Sequence, residues 1–321
     1  MVVLLLMATG GAASGQDTGR AHDVLTFRDG RITESSGLVA IGDLFATVND
    51  SGDTARVFLV DRTGTTVGVS RWTGTVRDVE ALAPGPDDTV WLGDIGDNLT
   101  SRTSVRLIRL PVGRGDRTHT GEAFELRYPD GPRDAESLAV QPVTGRVVIV
   151  SKELFGGSAY SPASLRADGP VTMRRLASGL LPMATDAAFL PDGRHVVVRN
   201  YTSAAVYRFP SWEEVGRVRL PVQAQGEAIA VDGTRGVYIS TEGAGSSVTW
   251  VPLPAALRQA IADPASGRTE TTVTSADTPA EGQDAPAHRT SSHRGWRLGV
   301  AGGVLLALVV VLAVVRRRRP R

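Results

Sequence analysis

Arg133 to Val140, RDAESLAV, is the stretch whose reading decides the fold, because its form returns along the chain. Its nearest copy is Arg77 to Ala83, RDVEALA. Further copies are Glu34 to Val39, ESSGLV, then Asp186 to Leu190, DAAFL, and Gln225 to Ala230, QGEAIA. The shared form is a polar, mostly acidic residue, often a Glu two places on, then a small residue and a short apolar run. That run is too brief for a helix and matches a buried strand. The copies begin at 34, 78, 134, 186 and 225, in steps of 44, 56, 52 and 39 residues. Such a period marks stacked or radial repeats, each unable to bury its own face.

Working outward, each unit reads as four short strands divided by turn signals. In the second unit these are Val79 to Ala83, Thr89 to Leu92, Val105 to Leu110 and Glu122 to Tyr128, with PGPDD and GRGD as turns. The fifth unit lacks a fourth strand. Asp23 to Arg28, DVLTFR, alternates apolar and polar residues ahead of the first unit and is the natural donor, closing the ring without an open sheet edge. The expected fold is an all-β β-propeller of five four-stranded blades over residues 23–254. Six blades is the alternative, since the two longest steps have room for further strands.

The flanks speak of a membrane. Residues 1–15 offer an apolar run followed by small residues, in the manner of a signal peptide but without a positive start. Residues 255–295, rich in Thr, Ser, Ala, Pro and Asp from Ala265 on, read as a disordered stalk, with a short helix over Pro254 to Asp263. Residues 296–315 hold an uncharged run, Leu298 to Val315, long enough for a transmembrane helix. The basic tail, residues 316–321, places the C-terminus in the cytoplasm by the positive-inside rule, and so the propeller outside the cell membrane in a single-pass, exported arrangement. A net charge of +1 with no basic stripe excludes a nucleic-acid partner. The absence of Cys excludes disulfides and thiolate chemistry.

Antiparallel pairing sets the start of each innermost strand beside the end of the second strand. Ring symmetry should therefore gather Asp50, Asp78, Asp94, Asp97, Asp134 and Asp186 around one channel mouth. The loops Asn49-Asp50-Ser51-Gly52-Asp53 and Gly93-Asp94-Ile95-Gly96-Asp97-Asn98 set several hard oxygens close together. Crowded carboxylates repel unless protonated, paired or bridged, so a Ca²⁺-like cation is the expected guest of those six residues. Lys152, the chain's single lysine, with Glu153, Arg199, Asn200 and Glu242, supplies the expected ligand-binding set. The recurring Glu80, Glu136 and Glu227 are read as architectural, because repetition in blade after blade is what packing needs. No catalytic residue can be named: there is no G-x-S-x-G or H-E-x-x-H, and His195 reads as a packed histidine.

The runs ESSGLV, NDSG, DVEALA, GDIGDN, DAESLAV with VSKE, TDAAFLPDGR with VRNY, and QGEAIAV with STEG resemble a group of uncharacterised bacterial exported or membrane-anchored β-propellers over Ile32 to Leu253. More distantly, they are similar to the phytase-like esterase and SdiA-regulated propeller families. That distant resemblance implies Ca²⁺ at the mouth and ester or phosphoester hydrolysis. Three expectations follow: a surface-anchored propeller binding an extracellular ligand or protein at an acidic mouth; a metal-dependent hydrolase, with Asp78, Asp94, Asp97 and Asp134 on the cation and Lys152 with Arg199 on the anion; or a structural scaffold.

Overall fold

A computed structural model describes residues 19–50 and 52–263. The chain begins with β1 (His22–Thr26) and lays down blade 1 as β2 (Ser35–Ile41), β3 (Leu44–Asn49), β4 (Arg56–Asp61) and β5 (Thr66–Trp72). Blade 2 follows as β6 (Val79–Pro84), β7 (Thr89–Asp94) and β8 (Val105–Pro111), then the short β9 (Arg117–His119) and β10 (Glu122–Arg127). Blade 3 holds β11 (Ala135–Val140), β12 (Val147–Ser151), β13 (Ala159–Ser161), β14 (Val171–Thr172) and β15 (Arg174–Ala177). Blade 4 is β16 (Asp186–Phe189), β17 (His195–Arg199), β18 (Ser203–Arg208) and β19 (Glu213–Arg219). Blade 5 is β20 (Gly226–Asp232), β21 (Gly236–Thr241) and β22 (Ser247–Pro252), and α1 (Ala255–Ala262) ends the described chain.

The innermost strands β2, β6, β11, β16 and β20 touch in sequence, and β20 returns to β2, so five blades close a propeller. Each blade boundary has its own apolar cluster, and there are five such clusters. No room is left for a sixth blade. The last boundary is closed by β1, which pairs antiparallel with β22 and carries Leu25 into the cluster shared by blades 5 and 1. The strand expected from DVLTFR therefore fills the outer place of blade 5. Blades 1 and 2 depart from the four-strand plan. β9, from blade 2, adds in parallel to β5, and β14, from blade 3, adds in parallel to β10. Each covers its neighbour's outer edge, which would otherwise present unpaired backbone groups.

The ring is tight at its centre. A Cβ on Gly37 of β2 would lie 2.4 Å from the backbone nitrogen of Leu82 in β6, so only glycine lets these two strands approach. The helix expected over Pro254 to Asp263 forms as α1, and Leu257 and Ile261 bury into the cluster between blades 4 and 5. The folded domain thus runs past residue 254, into what reads as the start of the stalk. Among the described residues no helix is long and apolar enough to cross a membrane. Segments 1–15, 264–295 and 296–321 lie outside the described residues.

Leu25 tests the closure, because its side chain reaches the core only if β1 is docked. Leu25→Ala is expected to cost about 2–5 kcal/mol, the usual range for emptying a buried leucine site, read from the midpoint of urea unfolding.

Candidate functional site

In blades 1, 2 and 5 the polar end of the second strand clips the loop leading into its own innermost strand. Asn49 accepts the amides of Thr33 and Glu34 at 3.0 and 3.2 Å. Asp94 accepts those of Arg77 and Asp78 at 3.3 and 3.0 Å, and Thr241 accepts that of Gln225 at 3.0 Å. Just inside this ring, β2, β6, β11 and β20 each break register, at Ser36, Glu80, Glu136 and Glu227–Ala228. A bulge leaves one residue unpaired and re-aims its side chain. Glu80, Glu136 and Glu227 are released in this way and meet at the axis, each only 4–6% exposed. β16 keeps its register and has Ala187 and Ala188 in place of an acid.

The centre therefore collects carboxyl groups from four blades. Carboxylate oxygens of Asp50, Asp78 and Glu80 all lie within 4.8 Å of one another. Burial raises the Glu80 carboxyl well above its ordinary range, and Glu136, Asp50 and Asp78 add to the effect. Burial, then the charges of Asp50 and Asp134, push Asp78 up to about 6. Burial raises Glu136 strongly against the pull of Lys152, and Glu227 adds its repulsion. Glu227 is raised by burial too, with Lys152 and Arg199 opposing. The Glu136 Oε2 and Glu227 Oε2 atoms are buried and accept no hydrogen bond.

One ammonium reaches this cluster. Lys152 Nζ lies 2.5 Å from Glu136 Oε1 and 5.3 Å from the centre of the Tyr201 ring. Burial works against its charge, yet Glu136 holds it protonated and raises its pKa. Gly96 packs flat against Asp78: a Cβ there would stand 2.5 Å from the Asp78 Oδ2 atom, which accounts for the second glycine of GDIGDN.

The structure brings Asp50, Asp78 and Asp134 to this centre and sets the other three expected cation ligands to different work. Asp94 is fully buried and paired with Arg102 at 3.0 Å and Arg106 at 3.5 Å. Asp97 closes its own loop by accepting the amides of Ser101 and Arg102 at 3.0 and 2.8 Å. Asp186 sits one residue further into its strand than the repeat alignment implies, at the register place of Ala135. There it is wedged between blades, accepting the amides of Ala187 and Ile229 at 2.8 Å each. Asp134 accepts the amide of Asp97 at 2.9 Å, tying blade 3 to blade 2, and burial raises its pKa.

The expected ligand set is likewise divided. Lys152 reaches the axis. Arg199 is fully buried, donates to the carbonyls of Ala228 and Asn200 at 3.0 and 3.2 Å, and has its pKa lowered to about 10 by burial. Asn200 is a turn former, accepting the amides of Thr202 and Ser203 at 3.0 Å each. Glu153 accepts from Ser151 at 2.7 Å and Arg133 at 3.3 Å, and Glu242 accepts from Gln225 at 2.6 Å. His195 is packed, its Nδ1 lying 2.6 Å from Asp192. The sequence reading took Glu80, Glu136 and Glu227 as architecture, and the bulges turn them inward. Their signal was present: a charged residue repeated at a strand position whose neighbours are all buried.

No protein-family model matches the chain, and no curated protein matches it. Solved structures similar to it include a glucose dehydrogenase, at 10% identity over 74% of this chain and 100% of that one, with a TM-score of 0.45. A chain of a nidogen–laminin complex matches at 12% identity over 65% and 73%, with a TM-score of 0.42. A gluconolactonase from Xanthomonas campestris matches at 15% identity over 66% and 69%, with a TM-score of 0.40. One architecture serves unrelated tasks, and no activity passes from these proteins to this chain by fold.

Two measurements separate the paired acid Asp94 from Asp78 in the acidic cluster. Asp94→Asn breaks a buried pair and is expected to cost about 3–5 kcal/mol in urea unfolding. Asp78 has a raised folded pKa, so its contribution to stability is present below its unfolded pKa and is lost as pH rises through about 6. In EDTA, the melting temperature of Asp78→Asn relative to the native chain should therefore climb between pH 4 and pH 8 (on the order of the unfolded and folded pKa values).

Proposed function

We propose that this chain is a surface-anchored, non-catalytic β-propeller that binds a divalent cation, Ca²⁺ in the first instance, with Asp50, Asp78 and Glu80, and takes a ligand or partner at the same acidic mouth. The observation that carries this reading is the convergence of those three carboxylates within 4.8 Å. Hard oxygens in that density suit Ca²⁺, and Asp134 stands near enough to act on the charge of Asp78. Further support comes from the sequence outside the described residues, where Leu298 to Val315 and the four arginines behind it have the form of a membrane anchor. An anchored propeller would present its mouth to the cell exterior.

Binding is preferred over ester or phosphoester hydrolysis for a specific reason. The hydrolytic reading needs Lys152 and Arg199 to hold an anion. Lys152 is engaged by Glu136, and Arg199 directs its donors to backbone carbonyls and Gln223.

The full-length chain should melt higher in saturating Ca²⁺ than in EDTA, since a guest that binds only the folded form adds about 2.7 kcal/mol at a hundredfold excess over its Kd. The gain should vanish in Asp78→Asn and Glu80→Gln. Equal melting in Ca²⁺ and EDTA would remove the cation from this reading. Ca²⁺-dependent turnover of phosphoester or carboxyester substrates, lost in Asp78→Asn, would transfer the site to the hydrolase.

A further inference from the structure

Blade 3 departs from its neighbours at the end of the sheet opposite the acidic mouth. There β12 pairs with β13 only at Ile149–Tyr160 and Val150–Ala159. The same register would set Pro162 against Val147, and a proline has no N–H to continue the ladder. β13 therefore stops at Ser161, and the chain leaves the blade to return as β14 on the edge of blade 2. Where the ladder stops there is a cavity of about 330 Å³. Thr144, Arg146 and Val147 line it from the turn into β12, and Pro162, Ser164 and Leu165 line it from the departing loop. Its volume falls at the small end of the roughly 300–1,000 Å³ that small-molecule sites occupy.

The turn from β11 to β12 sets the chemistry of this space, and the repeat supplies its own comparison. In blade 4 the equivalent turn is held by Asp192, which accepts the amides of Arg194 and His195 at 2.9 and 3.1 Å and stands 3.8 Å from Nε of Arg194. In blade 5 Asp232 pairs with the turn's Arg235 at 3.2 Å. In blade 3 an uncharged residue does the holding. The buried Gln141 accepts the amide of Val143 at 2.9 Å and the hydroxyl of Thr144 at 2.7 Å, and donates to the Gly193 carbonyl of blade 4 at 3.0 Å. The turn is fixed from both sides, yet it holds no acid. Among the described residues no carboxylate pairs with the Arg146 guanidinium, which lies 6.0 Å from the centre of the Phe209 ring. No acid lines the cavity either. The turn arginine is thus neutralised in blades 4 and 5 and keeps its full charge in blade 3, beside an open space.

A guanidinium is a planar fork that matches a carboxylate through two parallel hydrogen bonds. One arginine balances one negative charge, so a carboxylate leaves nothing over where a phosphate dianion would. The hydroxyl residues Thr144 and Ser164 share the space, and Val147, Pro162 and Leu165 make the rest of it apolar. We infer that this cavity of blade 3 binds a small organic carboxylate, with its anionic end on Arg146 and its apolar body against Val147, Pro162 and Leu165. The site lies at the far end of the sheets from Asp50, Asp78 and Glu80 and is independent of the reading of the mouth.

Ligand-observed saturation-transfer NMR on the full-length chain tests it with benzoate, acetate and benzamide as probes and inorganic phosphate as competitor. Benzoate should bind saturably, and more tightly than acetate because its ring covers the apolar wall. Benzamide, alike in shape but uncharged, should bind more weakly by about tenfold or more, the loss expected for a hydrogen-bonded charge. Arg146→Gln should cost benzoate the same factor. So should Val143→Asp, which gives this turn an acid like that of blade 4 at a side chain 77% exposed. Arg235→Gln, which removes an arginine from another blade, should bind as the native chain does. Melting temperatures establish that each variant is folded. The inference is overturned if benzoate does not saturate, if Arg146→Gln and Val143→Asp both bind it as tightly as the native chain, or if benzamide or acetate equals it. It is overturned too if phosphate displaces benzoate more readily than acetate does, since the site would then be one for inorganic anions. Binding should be the same in Ca²⁺, in EDTA and in Asp78→Asn. Dependence on any of these would put benzoate at the mouth and remove this site, whereas loss of Ca²⁺ stabilisation with benzoate binding intact would remove the mouth reading alone.

Discussion

Apolar contact between neighbouring sheets is the interaction on which the whole ring depends. Each blade is a twisted sheet with two faces, and neither face can be hidden within the blade. Val48, Val57 and Leu59 of blade 1 find cover only against Leu82, Val90 and Leu92 of blade 2, and the same arrangement recurs at each of the other boundaries. A circle is the arrangement that leaves no face over. Because the first and last boundaries are the same boundary, β1 must reach blade 5 before Leu25, Phe27 and Ile32 can be buried with Tyr238 and Trp250. Local strand formation and closure of the ring are therefore one event energetically, although their residues lie far apart in the chain.

That closure also dictates what happens at the axis. Innermost strands brought this close would ordinarily carry small or apolar residues. Here three of them bulge to bring a glutamate inward. The resulting acids are held away from water and from most donors, which works against stability. Around them the chain has placed compensating pairs: Arg102 with Asp94, the amide of Asp97 with Asp134, and the amides of Ala187 and Ile229 with Asp186. These pairs fix the loops so that the inner acids cannot swing apart. Departures from good packing that are reinforced from outside are characteristic of sites kept for function.

Much of this was legible in the sequence. The repeat spacing led to the propeller, the missing fourth strand of the last unit led to DVLTFR, and the acidic starts of the units led to a charged mouth with Asp50 and Asp78 in it. What was not legible has physical causes. An acid ahead of a strand looks the same whether its partner is a cation or a backbone amide several loops away, so Asp94 and Asp97 could not be told from Asp78. Asp186 was misplaced by one residue because β16 lacks the bulge that the other repeats share, and a single-residue slip turns a side chain from the mouth to the blade interface. The recurrence of Glu80, Glu136 and Glu227 pointed to architecture, and the bulges that turn the three inward leave no mark in the sequence. β9 and β14 are too short, at three and two residues, to leave a periodic trace.

The pairing of β1 with β22 carries one more consequence. The two run antiparallel, with His22 opposite Trp250 and Thr26 opposite Ser247, so the chain comes into the ring and leaves its last strand at the same corner. A mechanical load drawn between those two points opens the pair from one end, bond after bond, in the manner of a zipper. It does not stretch all the rungs together, as shear would. The seam of the ring is thus strong against thermal agitation, which must free every contact at once, and weak against peeling, which meets them singly.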